Sequence, residues 1–150
     1  MWWLLPYIAL IINIFIIWFM PKRLTNQEIY VTWFIIALIN LSSDVVLSLY
    51  YKLYELAKPG IQLRVHIIEL TLAASYGIIY LNFMPQKLLK FVLYTVIWVA
   101  FSLFFESVLV HFKFINYTGW KLLYSVPYYI FAFLFLRWHI HYIRIANKVK

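Results

Sequence analysis

The sequence predicts an all-α fold: a polytopic transmembrane helical bundle with about five spanning helices. Three observations carry that expectation. Hydrophobic residues make up 66% of the chain and charged residues 12%, whereas soluble domains sit near half and a quarter. The apolar residues fall into five runs, each near the roughly 20 residues that a helix needs to cross hydrocarbon. Short basic clusters and turn residues separate the runs, as in the loops of membrane proteins. A globule of 150 residues has too small an interior to hide so much Ile, Leu, Phe, Tyr and Trp. One integral membrane domain is expected over residues 1–150, because no soluble linker or low-complexity tract interrupts it.

The first run, 2–20, carries no charge. It lacks a basic lead-in, and Phe19-Met20-Pro21-Lys22 is no small-residue cleavage site, so it is expected to stay as an anchor rather than act as a signal peptide. The second run, 29–51, contains Asp44. The third, 65–84, contains His66 and Glu69. The fourth, 91–112, contains Glu106 and His111, and the fifth, 122–140, has Arg137 near its end. Backbone groups in lipid must bond within their own segment, which makes these runs helices. A barrel would need shorter segments of alternating polarity. Pro21 and Pro85 stop helices ahead of basic residues, Lys58-Pro59-Gly60 marks a turn, and Asn116-Tyr117-Thr118-Gly119 makes the fourth connection. Trp2, Trp3, Tyr50, Tyr51, Tyr54, Trp120, Trp138 and Tyr142 lie near run ends, where interfacial aromatics belong.

Of the 13 Lys and Arg residues, eight fall on one side of this topology and five on the other. The bias predicts an external N-terminus and a cytoplasmic C-terminus. The net charge of +8 is spread over loops rather than gathered on one wettable face, which argues against a nucleic-acid partner. Cysteine is absent, which excludes disulfides, thiolate metal sites and thiol nucleophiles.

Phe19-Met20-Pro21-Lys22-Arg23-Leu24 recurs as Phe83-Met84-Pro85-Gln86-Lys87-Leu88, and at the same offset Tyr30 meets Tyr94 and Ser43 meets Ser107. The pattern suggests a parallel internal repeat of 1–51 and 65–112. Its competing explanation is that Pro followed by a basic residue is a common way to end a spanning helix.

Asp44, Glu69 and Glu106 need explaining, because an acid inside a spanning helix usually faces the bundle interior or water. At 1.5 Å per residue, each lies about 6 to 10 Å from the same membrane side. Asn40, Asp44 and Ser48 share a face of the second helix, with Ser43 beside them. His66, Glu69, Ala73, Tyr76 and Tyr80 form a stripe on the third, and Thr95, Ser102 and Glu106 share a face of the fourth. Tyr124, Ser125 and Tyr128 open the fifth helix at that depth. A polar acidic layer in the outer half of the bundle is therefore expected, built from Asp44, Glu69, Glu106, His66, Asn40, Ser43, Ser102 and Tyr124. In one reading each acid pairs with Arg64, Lys52, Lys113, Lys121 or His66 and fixes helix packing. In the other the layer binds a cation, a proton or a small polar solute.

Weaker signals add little. His66 and Glu69, at i and i+3, resemble half of a carboxylate-bridged metal site, but the further carboxylates and second His of such a site are missing, so no metal or other cofactor is expected. Ala73 and Gly77 fit a small-xxx-small packing contact. Ser42, Ser43, Ser75, Ser102 and Ser125 stand in no nucleophile motif, so the chain is expected to be non-enzymatic. The basic tail from Arg144 to Lys150 suits an anionic lipid surface.

Asp44, the Leu81-Asn82-Phe83-Met84-Pro85 ending, Glu106 and the block Asn116-Tyr117-Thr118-Gly119-Trp120-Lys121-Leu122-Leu123-Tyr124-Ser125 together resemble a functionally uncharacterised family of small five-helix multi-pass membrane proteins from spore-forming Gram-positive bacteria. That resemblance implies a bacterial cytoplasmic membrane location and five helices, and it assigns no chemistry. The expected partners are the lipid bilayer and a membrane protein or a second copy of the chain. The sequence thus points to a non-enzymatic membrane protein whose acidic layer takes a partner or small ligand. Its alternative is a small transporter or proton/cation-coupled carrier acting as an oligomer.

Overall fold

The computed structural model describes residues 4–57 and 62–148. It is helical apart from one two-stranded ribbon, in the order α1 (Leu4–Phe19), α2 (Asn26–Asp44), β1 (Tyr54–Leu56), α3 (Leu63–Phe83), α4 (Leu88–His111), β2 (Ile115–Tyr117) and α5 (Leu122–Lys148). The helices alternate in direction, as cross-links at each end show. Tyr7 of α1 donates to the Arg64 carbonyl of α3 at the ribbon end. At the opposite end, Asn82 accepts from the Arg23 N–H and donates to the Pro21 carbonyl. Asn82 thereby ties the end of α3 to the α1–α2 loop, so the two Pro-basic segments of the suggested repeat lie side by side. The predicted turn Lys58-Pro59-Gly60, together with Trp2, Trp3 and Lys150, lies outside the described residues.

Three helical segments among the described residues, Asn26–Tyr50, Leu63–Phe83 and Leu88–His111, are long and apolar enough to cross a membrane. α1 is apolar but only 16 residues long. α5 runs for 27 residues, eight beyond its predicted end at Ile140. Its added turns carry His141 and Arg144, which lowers its apolarity.

α3 is the axis of the bundle. Of its apolar window 67% is buried inside the molecule, against 17% for α4 and 11% for α2. The outer faces of α1, α2, α4 and α5 carry a belt of exposed large apolar side chains, among them Phe15, Phe34, Val96 and Phe131. Exposed apolar surface on this scale is consistent with a membrane protein. Packing inside the belt is uneven. The half away from the ribbon is filled by a cluster that includes Met20, Ile78, Tyr80, Met84, Phe91, Phe133 and Ile140. Tyr80 anchors it, with no exposed surface, its ring against Tyr94, Trp98 and Phe133, and its hydroxyl bonded to Thr95. Near the ribbon a smaller cluster of Leu10, Ile68, Leu72, Leu109 and Phe114 packs around hollow space.

Local chemistry accounts for several element ends. Thr25 and Glu28 form a capping box at the start of α2, each bonding the other's backbone N–H. Past Asp44, α2 widens into π-helical turns over Val45–Tyr50, a local expansion found often beside functional positions. The ribbon was not expected from the sequence. Its antiparallel register places Tyr54 opposite Tyr117 and Leu56 opposite Ile115. It is stapled by the Leu53 carbonyl, which accepts from the N–H groups of Thr118, Gly119 and Trp120. Lys52, Ala57 and Lys113 flank it with positive φ angles of 53°, 60° and 56°.

Candidate functional site

The hollow near the ribbon is a cavity of about 550 Å³ between α2, α3, α4 and α5, roofed by the ribbon. All three acids of the predicted layer stand in its wall, Asp44 from α2, Glu69 from α3 and Glu106 from α4. Helical depth alone placed them level, and the alternating bundle brings them around one space.

Each acid is held differently. Glu106, 7% exposed, takes three hydroxyl donors: Tyr117 at 2.5 Å and Ser125 at 2.7 Å on Oε1, and Tyr129 at 2.8 Å on Oε2. Trp120 extends this set by donating its indole N–H to Ser125 at 2.9 Å. Three donors converging on its two oxygens satisfy this buried carboxyl without a charged partner. Asp44 is half-buried, accepts from the Tyr54 hydroxyl on Oδ1, and accepts from Asn40 at 3.3 Å on Oδ2. Asn40 also donates to the Glu69 carbonyl at 3.0 Å, which joins α2 to α3 at this depth. Glu69, 8% exposed, pairs with His66 at 2.6 Å.

The ribbon supplies the two capping donors as a cross-strand pair. Tyr54 reaches Asp44 and Tyr117 reaches Glu106, so one short structure clasps acids on two helices. Burial and the facing carboxylates push both phenols far above their ordinary range, so both remain donors at neutral pH.

Asn40, Ser43 and Ser102 also line the cavity. Ser43 accepts from Tyr128 at 3.4 Å, and Ser102 donates back to the Trp98 carbonyl of its own helix. His66 stands behind Glu69 rather than in the cavity wall. Tyr124 is set apart: it is 48% exposed and packs edge-on against Trp120.

Among the described residues, the expected pairing of an acid with a base is seen at His66, which lies on α3 itself. Among the described residues, the other partners of the three acids are hydroxyl and amide groups and, between Asp44 and Glu69, each other's carboxyl, and Lys52, Lys113 and Lys121 are exposed. Tyr54 and Trp120, placed by sequence at the interface, turn inward, while Tyr50, Tyr51, Trp138 and Tyr142 are exposed as expected there. Tyr129 and Tyr117 were missed altogether. Only their neighbourhood gave a signal, through the aromatic block that opens the fifth helix.

The acid at the other end was missed too. Glu28, 3% exposed, pairs with Arg144 of α5 at 2.6 Å. Thr25-x-x-Glu28 is a readable capping box, but nothing local names a partner 116 residues away. Arg144, read from sequence as part of a lipid-facing tail, is drawn back onto α2.

Compared with protein-family models, with curated proteins and with solved structures, the chain matches none.

Proposed function

We propose that this chain is a non-enzymatic multi-pass membrane protein that binds a small organic cation in its acid-walled cavity. One observation carries the reading: Asp44, Glu69 and Glu106 share a cavity whose described wall contains no Lys or Arg. Negative charge left in a low-dielectric hollow is expensive unless a cation or a proton joins it. The rest of the wall suits the apolar part of such a ligand, with the rings of Tyr76, Phe101, Phe105 and Trp120 among its lining, the side-chain type that attracts an ammonium or phosphonium group. The volume lies within the range of ordinary small-molecule pockets, about 300–1,000 Å³.

The membrane setting belongs to the same proposal. All five helices cross, with α1 and α5 joining the three that qualify by length and apolarity, because their ends lie level with those of their neighbours. The N-terminus lies outside and the C-terminus in the cytoplasm of a bacterial cell, in keeping with the basic-residue bias and the family resemblance. The alternative of an ion-coupled carrier uses the same cavity.

The test is thermal unfolding of the purified protein with tetraphenylphosphonium, tetraethylammonium or a neutral tetraphenyl analogue, beside the triple variant Asp44→Asn/Glu69→Gln/Glu106→Gln. The wild type should be stabilised by a cation and not by the neutral analogue, and the variant by neither. Equal stabilisation of both proteins would sink the reading.

A further inference from the structure

The cavity ends at its floor on Ile36 of α2, Gly77 of α3 and Leu136 of α5. Beneath the floor polar groups resume. Thr32 lies one turn below Ile36, with no exposed surface, and its hydroxyl meets His139 Nε2 at 3.3 Å. His139 is 4% exposed and stacks on Phe135. One turn further down is the Glu28–Arg144 pair, which opens to the surface where Arg144 is 40% exposed. On α2 the row is Glu28, Thr32, Ile36, Asn40, Asp44, an unbroken four-residue spacing that winds from α5 toward α3. It spans about 24 Å at 1.5 Å per residue, most of a hydrocarbon core about 30 Å thick. Polar groups occupy both ends of this row and one apolar layer interrupts it.

We propose that the seam where α2, α3 and α5 meet is a proton route from the Arg144 surface to the cavity carboxylates, held shut here by Ile36 and Leu136 converging on Gly77. The inference rests on the reading of the cavity as a cation site and adds what that site is coupled to. Buried polar side chains in spanning helices are rare, and rows of them mark proton relays. The seam is too tightly filled for an organic cation, whereas a proton needs only a transient file of water. His139 can take a proton from water on the Arg144 side and return it to water on the cavity side, where Asp44 or Glu69 accepts it. Around His139 the charged neighbours are few: Thr32 faces it from α2, Glu28 and Arg144 lie a turn away, and Arg137 is engaged 3.9 Å above the Phe91 ring of α4.

An apolar constriction closes such a file by excluding water. Gly77 makes the closure tight. A Cβ at that position would overlap Ile36 Cδ1 and sit 3.5 Å from Leu136 Cδ1, so the absence of a side chain is what lets the plug seat on the α3 backbone. Proton arrival at the carboxylates would discharge the bound cation back to the cavity side.

The test is proton flux into proteoliposomes holding a pH-sensitive dye, driven by a potassium diffusion potential. The wild type should be nearly silent. Ile36→Ala/Leu136→Ala should raise the flux about tenfold or more, and adding His139→Phe should return it to the wild-type level. Ile36→Thr, which keeps the β-branch but drops Cδ1 and is wettable, should give a smaller rise and serves if the double variant folds poorly. Flux that stays at the level of empty liposomes in both plug variants, while they still bind tetraphenylphosphonium, would overturn the route and leave the cation site standing. A rise that survives His139→Phe, or that also passes tetraethylammonium, marks a general leak and likewise overturns it. Loss of cation binding in the wild type itself would remove the cavity reading instead.

Discussion

The two ends of the bundle treat acids in opposite ways. At the Arg144 end Glu28 is buried, capped by Thr25 and paired with a guanidinium, within a solidly filled half of the molecule. At the ribbon end three acids surround a hollow and are held by tyrosines, serines, an asparagine and one histidine. A buried ion pair joined to a helix cap fixes two helices together. The acids around the hollow have no Lys or Arg among their described partners, so nothing comparable locks them to a second helix. The same residue type thus stands in an ion pair at one end and around a hollow at the other, and the difference lies in what faces it.

Breaking the packing end should produce the largest loss. Glu28→Ala leaves Arg144 without its partner and removes half of the capping box, so stability should fall by about 3 kcal/mol, most of it from the lost charge-assisted bond and cap. Equilibrium unfolding in mixed detergent reads the loss. A fall below about 1 kcal/mol would mean that the pair is a surface contact of the usual weak kind, and the contrast between the ends would shrink.

Next come the ribbon donors. Tyr54→Phe and Tyr117→Phe each delete one bond to a carboxylate and keep the ring, so each should lose about 1.5 to 2 kcal/mol. Their double variant should lose less than the sum of the two if the cross-strand pair acts as one clasp. Strict additivity would show that the ribbon holds Asp44 and Glu106 independently.

How far the sequence reaches differs between the two ends for physical reasons. Five helices and most of their limits follow from apolar run length and from Pro21 and Pro85, because long apolar helices are specified locally. The common depth of Asp44, Glu69 and Glu106 follows from the rise per residue. The ribbon does not, since β1 and β2 are three residues each, too short for any alternation to register, and their pairing of Tyr54 with Tyr117 is a tertiary event. For the same reason Tyr54 and Trp120 read as interface aromatics. Loop bases looked like partners for the acids because they share their level, but Lys52, Lys113 and Lys121 gain more from water than from a buried partner. The extension of α5 and the pull of Arg144 onto Glu28 depend on each other, and neither has a local signature.

Neutralising the acids separates binding from stability. In the absence of cation, Asp44→Asn and Glu69→Gln should change unfolding free energy by no more than about 1 kcal/mol, because each loses charge-assisted bonds but also relieves repulsion between neighbouring carboxylates. Glu106→Gln should be the more damaging of the three, since three hydroxyls converge on it and an amide nitrogen cannot accept from them. If all three variants lost stability equally, the acids would be structural at this end as well.

The smallest effect sharpens the comparison most finely. Lys113 sits at φ 56°, immediately before the segment that enters β2, where a side chain costs about 1 to 2 kcal/mol relative to glycine. Lys113→Gly relieves that strain but adds freedom to the unfolded chain worth about 0.5 to 1 kcal/mol, so the net gain should be about 0.5 kcal/mol. Dynamics are a different matter. With a glycine at its base the ribbon has more ways to swing, so amide exchange at Tyr117 and Thr118 should quicken while exchange in α3 stays unchanged. Equal protection in both proteins would mean that the hydroxyl bonds to Asp44 and Glu106, and not the strained hinge, hold the roof of the cavity. Faster ribbon exchange at unchanged global stability would show that the hollow end can open while the packed end stays closed.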